Sequence, residues 1–452
     1  MPHQEALTVI APIRPGEVEA AKGVLGTIPD HVDGWDIIPF DKVPRLHFAR
    51  LAVFDEAKDL TGAAISAQLA LMTNVDGPVD AHLNDLVRIA SPGLDAVFGA
   101  CAGYPDESQR TPATRLRFLR RYQRDAAAFY VNRQGRSVDQ IHKEESLRRE
   151  IGTFLDSADF SRHSPETLRK AIREFVGGRP DLKWALEPAE PPGLAWRVRN
   201  VLHLVEDTGI ALVALPVAIL LAPFLLSLLR SHERADVPDT SAASAESIDR
   251  LRADEDFWVH NQVIAAGCFK PGLFRQVVTT VILRTTDFAC RHIYNRGTLS
   301  GLNTLHFARW VGMDDGRRMF FSSNYDGSLE SYMNDFIDKA AWGLNAIFSN
   351  GDGFPRTSFL FCGGIRDEKA YKRFLPTRQV QSRVWYSAYP HLTTKNIANN
   401  AAIRAGLSGQ PSADEVRVWL RRFGVGNHLP PSGLIASILD NLPWDRLCRF
   451  SK

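Results

Sequence analysis

Residues 74–105 read NVDGPVDAHLNDLVRIASPGLDAVFGACAGYP, and residues 324–355 read NYDGSLESYMNDFIDKAAWGLNAIFSNGDGFP. The two align without a gap at an offset of 250, and 12 of 32 positions are identical. A repeat of this kind fixes the architecture before any single element is considered, because each copy must be one structural unit. The match extends in both directions. Leu46-His47-Phe48-Ala49-Arg50 pairs with Leu305-His306-Phe307-Ala308-Arg309, and Arg14-Pro15-Gly16 with Lys270-Pro271-Gly272. Arg117-Phe118-Leu119 pairs with Arg373-Phe374-Leu375, and Ile141 and Leu147 with Ile397 and Ile403. The offset changes only between these blocks, where loops are expected.

Each copy has a readable element order. Residues 7–13 and 262–269 read as strands, and Pro-Gly then opens a helix, with proline tolerated in its first turn. Residues 46–54 and 305–313 are strands, as are 68–73 and 318–323. Asp-Gly follows as a turn, glycine supplying a positive φ, and a helix starts near residue 78 or 328. A further strand is clear at 357–362 and weak in the first copy. A helix and a last strand, 129–132 or 384–388, complete each copy. This gives an α+β chain of two tandem ferredoxin-like modules. The expected boundaries are 1–160 and 251–410 for the modules, 161–250 for a linker with an apolar segment, and 411–452 for a C-terminal helical tail.

The order strand, helix, strand, strand, helix, strand, given twice, resembles the dimeric α+β-barrel superfamily with its halves fused into a pseudo-twofold barrel. Dye-decolorising peroxidases and chlorite dismutases are similar in being fused. The resemblance is one of topology and covers roughly two thirds of the chain.

Composition is that of an ordinary globular protein, 44% hydrophobic and 23% charged. A net charge of +2 gives no global field for nucleic acid. The local basic run Arg110, Arg115, Arg117, Arg120, Arg121 and Arg124 reads as a solvated helix face or a contact for anionic lipid headgroups. Cys101, Cys268, Cys290, Cys362 and Cys448 are odd in number with no C-x-x-C spacing, which reads as reduced, cytoplasmic cysteine. Residues 1–6 carry no apolar run and no visible secretory signal. Zinc-helix, P-loop, nucleophile-elbow and Rossmann motifs are missing from the sequence.

Residues 208–229, TGIALVALPVAILLAPFLLSLL, are uncharged over 22 positions, against about 20 needed to span a bilayer. A buried core helix is the plain alternative. Trp196, Arg197 and Arg199 lie before it and Arg230, His232 and Arg234 after it, so both flanks carry basic residues and charge sets no direction. A spanning helix would put the two copies in different compartments, where they could not pack together. With Pro216 and Pro223 each removing a backbone donor, the expectation is a bent or hairpin insertion that returns to the same side. Leu212, Leu215, Leu220, Leu221, Phe224 and Leu225 would contact lipid, and residues 187–193 and 231–247 would be linkers.

His47 and His306 hold equivalent strand positions. Alternation puts His306 and Ala308 on one face and Phe307 and Arg309 on the other. Phenylalanine suits the helix-covered side, leaving histidine for a cavity. There it would be a general base or a haem ligand, or simply a hydrogen-bonded core residue. Asp76 and Asp326 sit in a shared T/S-N-x-D-G, similar to the G-x-x-D-G of dye-decolorising peroxidases, whose aspartate helps activate peroxide. The first glycine is replaced by Thr73 and Ser323, and capping of the following helix also accounts for the motif. Buried Arg309–Asp326 and Arg50–Asp76 links are expected. The unrepeated His260, Cys268, His292, Tyr294, Arg296 and His391 are further candidates.

The resemblance implies haem, with His306 as iron ligand and His292 or His391 next, Asp326 as a catalytic group and Arg309 polarising a bound peroxide. The function expected on that basis is a peroxidase-like oxidoreductase on the cytoplasmic face of a membrane, acting on a lipophilic substrate such as a fatty-acid or lipid peroxide. The alternative is a non-catalytic lipid-binding or scaffold protein without a cofactor.

Overall fold

The computed structural model describes residues 3–28, 37–157, 163–188, 192–253, 255 and 257–424. The first module supplies β1 (Gln4–Pro12), α1 (Val18–Gly26), β2 (Leu46–Phe54), β3 (Gln68–Asp76), α2 (Val79–Phe98), α3 (Pro112–Tyr122), β4 (Ala128–Val131) and α4 (Val138–Asp156). Between the modules lie α5 (Pro165–Gly178), α6 (Leu194–Ala235) and α7 (Ala245–Ala253). The second module supplies β5 (His260–Cys268), α8 (Leu273–Phe288), β6 (Leu305–Met313), β7 (Arg318–Asp326), α9 (Leu329–Lys339), α10 (Ala341–Phe348), α11 (Glu368–Arg378), β8 (Ser382–Ser387) and α12 (Thr394–Gly406). Helix α13 (Ala413–Leu420) follows; the remainder of the expected helical tail, residues 425–452, lies outside the described residues.

The protein is mixed α+β with two antiparallel four-stranded sheets, ordered β1-β3-β2-β8 and β4-β6-β7-β5. The edge strands are exchanged. β4 of the first module pairs with β6 of the second, and β8 of the second pairs with β2 of the first. The pattern of alternating apolar residues could not reveal this, because both edges present the same kind of strand. Just before crossing over, each exchanged segment touches its own module, through a Val9–Gln123 bridge in one half and an Ala265–Gln379 bridge in the other. The strand expected at 357–362 is only a small hairpin, Thr357–Ser358 with Cys362–Gly363.

Three layers of core follow from strand alternation. Leu7, Val9, Leu51, Leu69 and Leu71 pack on the helix side of the first sheet with Leu86, Leu94 and Phe98 of α2. Trp310, Phe321 and Tyr325 pack with Tyr332, Phe336 and Leu344 on the other side of the molecule. Ile10, Phe54, Met72, Ile264, Val311 and Phe320 fill the space between the sheets. Phe307 and Arg309 therefore face the opposite sheet and Ala308 faces the helices, the reverse of the sequence expectation. Gly16 and Gly272 both adopt positive φ, 82° and 106°, at the shared Pro-Gly turn. Gly327 does so at its Asp-Gly turn but Gly77 does not.

Helix α6 takes up the apolar segment and extends through Ala235, so residues 231–235 are helix and not linker. It is not a core helix: its most apolar window is 6% buried, with Leu212 71% and Leu220 80% exposed. Leu215, Leu221 and Phe224 are exposed and Leu225 is half-buried. Both ends are pinned to the same molecule. At the start, Arg199 meets Glu5, His203 meets Asp287 at 3.0 Å, and Asp207 meets Arg284 at 2.7 Å. At the end, Asp236 takes two bonds from Arg275, and Glu233 accepts from the Phe359 and Leu360 amides. His203 and Asp236 are 33 residues apart, about 50 Å if the helix were straight, whereas their partners on α8 are only about 18 Å apart. Side-chain reach does not make up the difference, so α6 must arch, and Pro216 and Pro223 lie in the arched part.

Cys362 is disulfide-bonded, a correction to the expectation of reduced cysteine throughout; an odd count does not exclude one bridge. Cys101, Cys268 and Cys290 are free, and Cys448 lies outside the described residues.

Candidate functional site

The repeated Leu-His-Phe-Ala-Arg segment builds the polar centre of the molecule. Each copy carries a register shift at the histidine, between Leu46 and Phe48 and between Leu305 and Phe307. Such a bulge adds a residue and re-aims its side chain. The histidines thereby turn toward the carboxylate at the end of the neighbouring strand. His47 Nε2 lies 3.0 Å from Asp76 Oδ1, and His306 Nε2 lies 2.7 Å from Asp326 Oδ1.

The second carboxylate oxygen has the same job in both copies. Asp76 Oδ2 accepts from Val138 N, and Asp326 Oδ2 accepts from Thr394 N and Oγ1. These amides open α4 and α12, where a negative charge meets unsatisfied N–H groups and the helix dipole. The aspartates do cap helices, but distant ones, not α2 and α9 that follow them. Burial pushes the Asp326 carboxyl up, but His306, His260 and the Thr394 amide outweigh it and hold the group below the usual carboxylate range.

The arginines do not join the aspartates. Arg309 donates to Leu7 O, Thr8 Oγ1 and Thr73 O of the first module, at 2.8 to 3.0 Å. Arg50 donates to Val263 O and Ser323 O of the second, at 3.2 and 3.0 Å. The expected Arg309–Asp326 and Arg50–Asp76 links are thus corrected to a reciprocal clasp between the sheets. Burial lowers both guanidinium pKa values to about 9, which still leaves them charged near neutrality. Backbone dipoles stand in for a counterion.

Phe48 and Phe307 meet edge to face at 5.8 Å between these polar pairs. Tyr389 completes the cluster; its hydroxyl lies 2.9 Å from His47 Nδ1. Burial, and then Asp76 and Asp326, push that phenol well above its ordinary pKa. Its counterpart in the first module is Arg133, by the pairing of β4 and β8 with equivalent strands. Sequence reading missed Tyr389, and aligning those two short strands would have exposed the asymmetry.

His260, His306 and Asp326 form a buried trio whose ligand atoms lie within 4.8 Å of one another. The duplication shows what His260 does. Its Nε2 is 2.7 Å from Leu392 O and its Nδ1 is 3.1 Å from Ser387 Oγ. At the equivalent position Gln4 donates from Nε2 to Arg136 O. Both side chains tie the start of the first strand to the carbonyl before the capped helix. His260 Nε2 is therefore a proton donor, and a metal would have to displace that bond. Desolvation first, then the neighbouring His306, lowers its pKa to about 3, so the ring is neutral.

Haem does not fit these residues. The cavity beside His306 and His47 has a volume of about 20 Å³, room for about one water, and Phe307 and Tyr389 close it. Two larger cavities, of about 390 and 400 Å³, have no histidine in their walls. His292 is hydrogen-bonded to His203 of α6 at 3.1 Å, and His391 is exposed beside Trp258. Neither joins His306, and Arg309 is spent on the clasp. The arginine run on α3 is partly engaged within the molecule, Arg115 with Asp95 and Arg120 with Asp80.

Comparison of the chain with protein-family models, with curated proteins and with solved structures returns no match.

Proposed function

We propose that this is a lipid-binding protein held on one face of a membrane, built as a pseudo-twofold α+β barrel from two fused ferredoxin-like modules. The barrel reading is supported by the exchanged strands: residues 123–131 run from the edge of β1 to β6, and residues 379–387 run from the edge of β5 to β2. The closed circuit resembles the dimeric α+β-barrel superfamily.

The observation that carries the membrane reading is the arch of α6. An uncharged stretch of 22 residues leaves the molecule exposed to solvent and returns to the same module. Exposing that many large apolar side chains in water has no offsetting contact within the fold, and a membrane interface supplies one. Insertion from one side leaves both modules in one compartment, as their interleaved sheets require. Lipid binding without redox chemistry fits the polar centre, in which His47–Asp76 and His306–Asp326 each anchor a helix and, among the described residues, line only a cavity of about 20 Å³.

The test is flotation of the full chain with phosphatidylcholine vesicles, beside a variant lacking residues 208–229. The expected result is that the full chain floats and the variant remains in the soluble fraction with its circular dichroism otherwise retained. A variant that floats equally well would overturn the reading.

A further inference from the structure

Helix α8 turns its inner side to the second core, where Arg275 and Thr279 are buried and Ile282 and Leu283 are half-buried. Its outer side is not the polar face expected of a surface helix. Leu273, Val277 and Val281 are 81, 60 and 59% exposed. They recur four residues apart and so form one stripe along the helix. α8 offers this stripe no free charge. Its charged side chains are all bound to α6 or its C-cap: Arg275 to Asp236, Arg284 to Glu206 and Asp207, and Asp287 to His203. The equivalent helix of the first module, α1, opens on the same Pro-Gly turn but exposes Glu19, Ala20 and Gly23. The apolar stripe is therefore not a property of the repeated unit. It belongs to the helix that holds the arch.

Two features say what covers it. Arg275 and Asp287 hold the two feet of α6, so the axis of α8 runs from one foot to the other, along the surface into which the arch inserts. Arg284, three residues beyond Val281, lies on the face of the stripe and grips the first foot, so the stripe looks to the side from which the arch leaves. The arch itself does not cover the stripe, whose residues stay exposed with α6 in place.

The geometry points to α8 as a second membrane contact, a surface-lying helix whose Leu273, Val277 and Val281 enter the boundary between headgroups and acyl chains in the leaflet that takes the arch. The inference rests on the membrane reading above and extends it, because it fixes the second module as the one that faces the bilayer. Insertion of the arch brings this face to the lipid. A stripe of three side chains is also far smaller than the surface a stable dimer buries, so the bilayer is the occupant and not a second copy of the chain.

The experiment uses the full chain on phosphatidylcholine vesicles that contain a phosphatidylcholine with a diazirine in its acyl chain, mapping the adducts by peptide mass spectrometry. Adducts are expected within residues 208–229 and 273–281, and not at Val418, which is exposed on α13 where that helix packs against α5 and α12. Adducts within 208–229 alone would overturn the proposal and leave the arch standing; adducts in neither segment would overturn both. Leu273→Gln with Val277→Gln keeps good helix formers on an exposed face, so the variant should fold with an unchanged thermal midpoint. Its partitioning to vesicles should weaken by about tenfold, since two apolar side chains no longer gain by leaving water. Partitioning equal to that of the parent would overturn the proposal. So would a parent chain that is dimeric in detergent and a variant that is monomeric there, which would assign the stripe to a second copy.

Discussion

The five residues Leu-His-Phe-Ala-Arg, given twice, each do one thing. Leucine and alanine face the helices, histidine at the bulge holds the helix-capping aspartate, phenylalanine meets its twin between the sheets, and arginine reaches across to the other module. The sequence shows the repeat plainly. It does not show the bulge that re-aims the histidine, and giving phenylalanine to the helix-covered side reverses the two faces. Two predictions belong here. Arg309→Ala should lower stability by roughly 3 kcal/mol or more in urea titration, because it strands three buried acceptors. Arg309→Lys should recover only part of that loss, an ammonium lacking the planar fork; a loss below about 0.5 kcal/mol for alanine would contradict the clasp. The second concerns acid. His260 is neutral when folded down to about pH 3 but takes a proton near pH 6.5 when unfolded. Its contribution is full above pH 6.5 and is lost as pH falls toward 3. His260→Gln, which installs the residue found at position 4, should flatten the fall in stability between pH 4 and 6 by about 1.4 kcal/mol per pH unit. An unchanged slope would show that His260 is already protonated in the folded protein.

At the scale of elements, β2, β3, β6 and β7 lie where the apolar alternation places them, with β3 and β7 running three residues further. The apolar run became a helix, as its length implied. Which sheet each last strand joins was hidden, since β4 and β8 carry the same apolar pattern and pairing across modules leaves no local mark. The arch of α6 was legible only indirectly, through the demand that fused modules share a compartment. Because its side chains make few contacts, charge can be placed there at little cost to folding. Leu215→Asp with Leu220→Asp should leave the thermal midpoint within a degree or two, as surface changes usually do. The same pair should weaken vesicle binding by 100-fold or more, since each carboxylate costs roughly 2.5–3.5 kcal/mol in the apolar layer. A large fall in the thermal midpoint would mean that the arch packs on the protein instead.

For the whole molecule, strand exchange makes the modules interdependent. A fragment of residues 1–188 lacks β8, which covers the edge of β2, and leaves β4 without β6. It should aggregate or pair with a second copy when expressed alone, whereas the full chain should unfold both modules in one transition by circular dichroism and tryptophan fluorescence. Two separate transitions would contradict the interleaved sheets. The duplication could be read from sequence because a period needs no structure to be seen. The apolar cavity of about 390 Å³ in the second module could not, since its walls come from α8, β6, α10 and residues 360–361, which lie far apart in the chain.

The central claim is that residues 208–229 leave and rejoin one face of a single fused molecule. Cysteines placed at Val198 and Ser231, both exposed at the feet of the arch, test it most directly. Each variant is inserted into sealed vesicles and treated from outside with a membrane-impermeant maleimide, and labelling above that of the parent chain is counted. The account predicts that both positions label from the same side, to the same extent, before and after the vesicles are opened with detergent. Labelling of one position from outside and of the other only after opening would show a helix that spans the bilayer, and would contradict it.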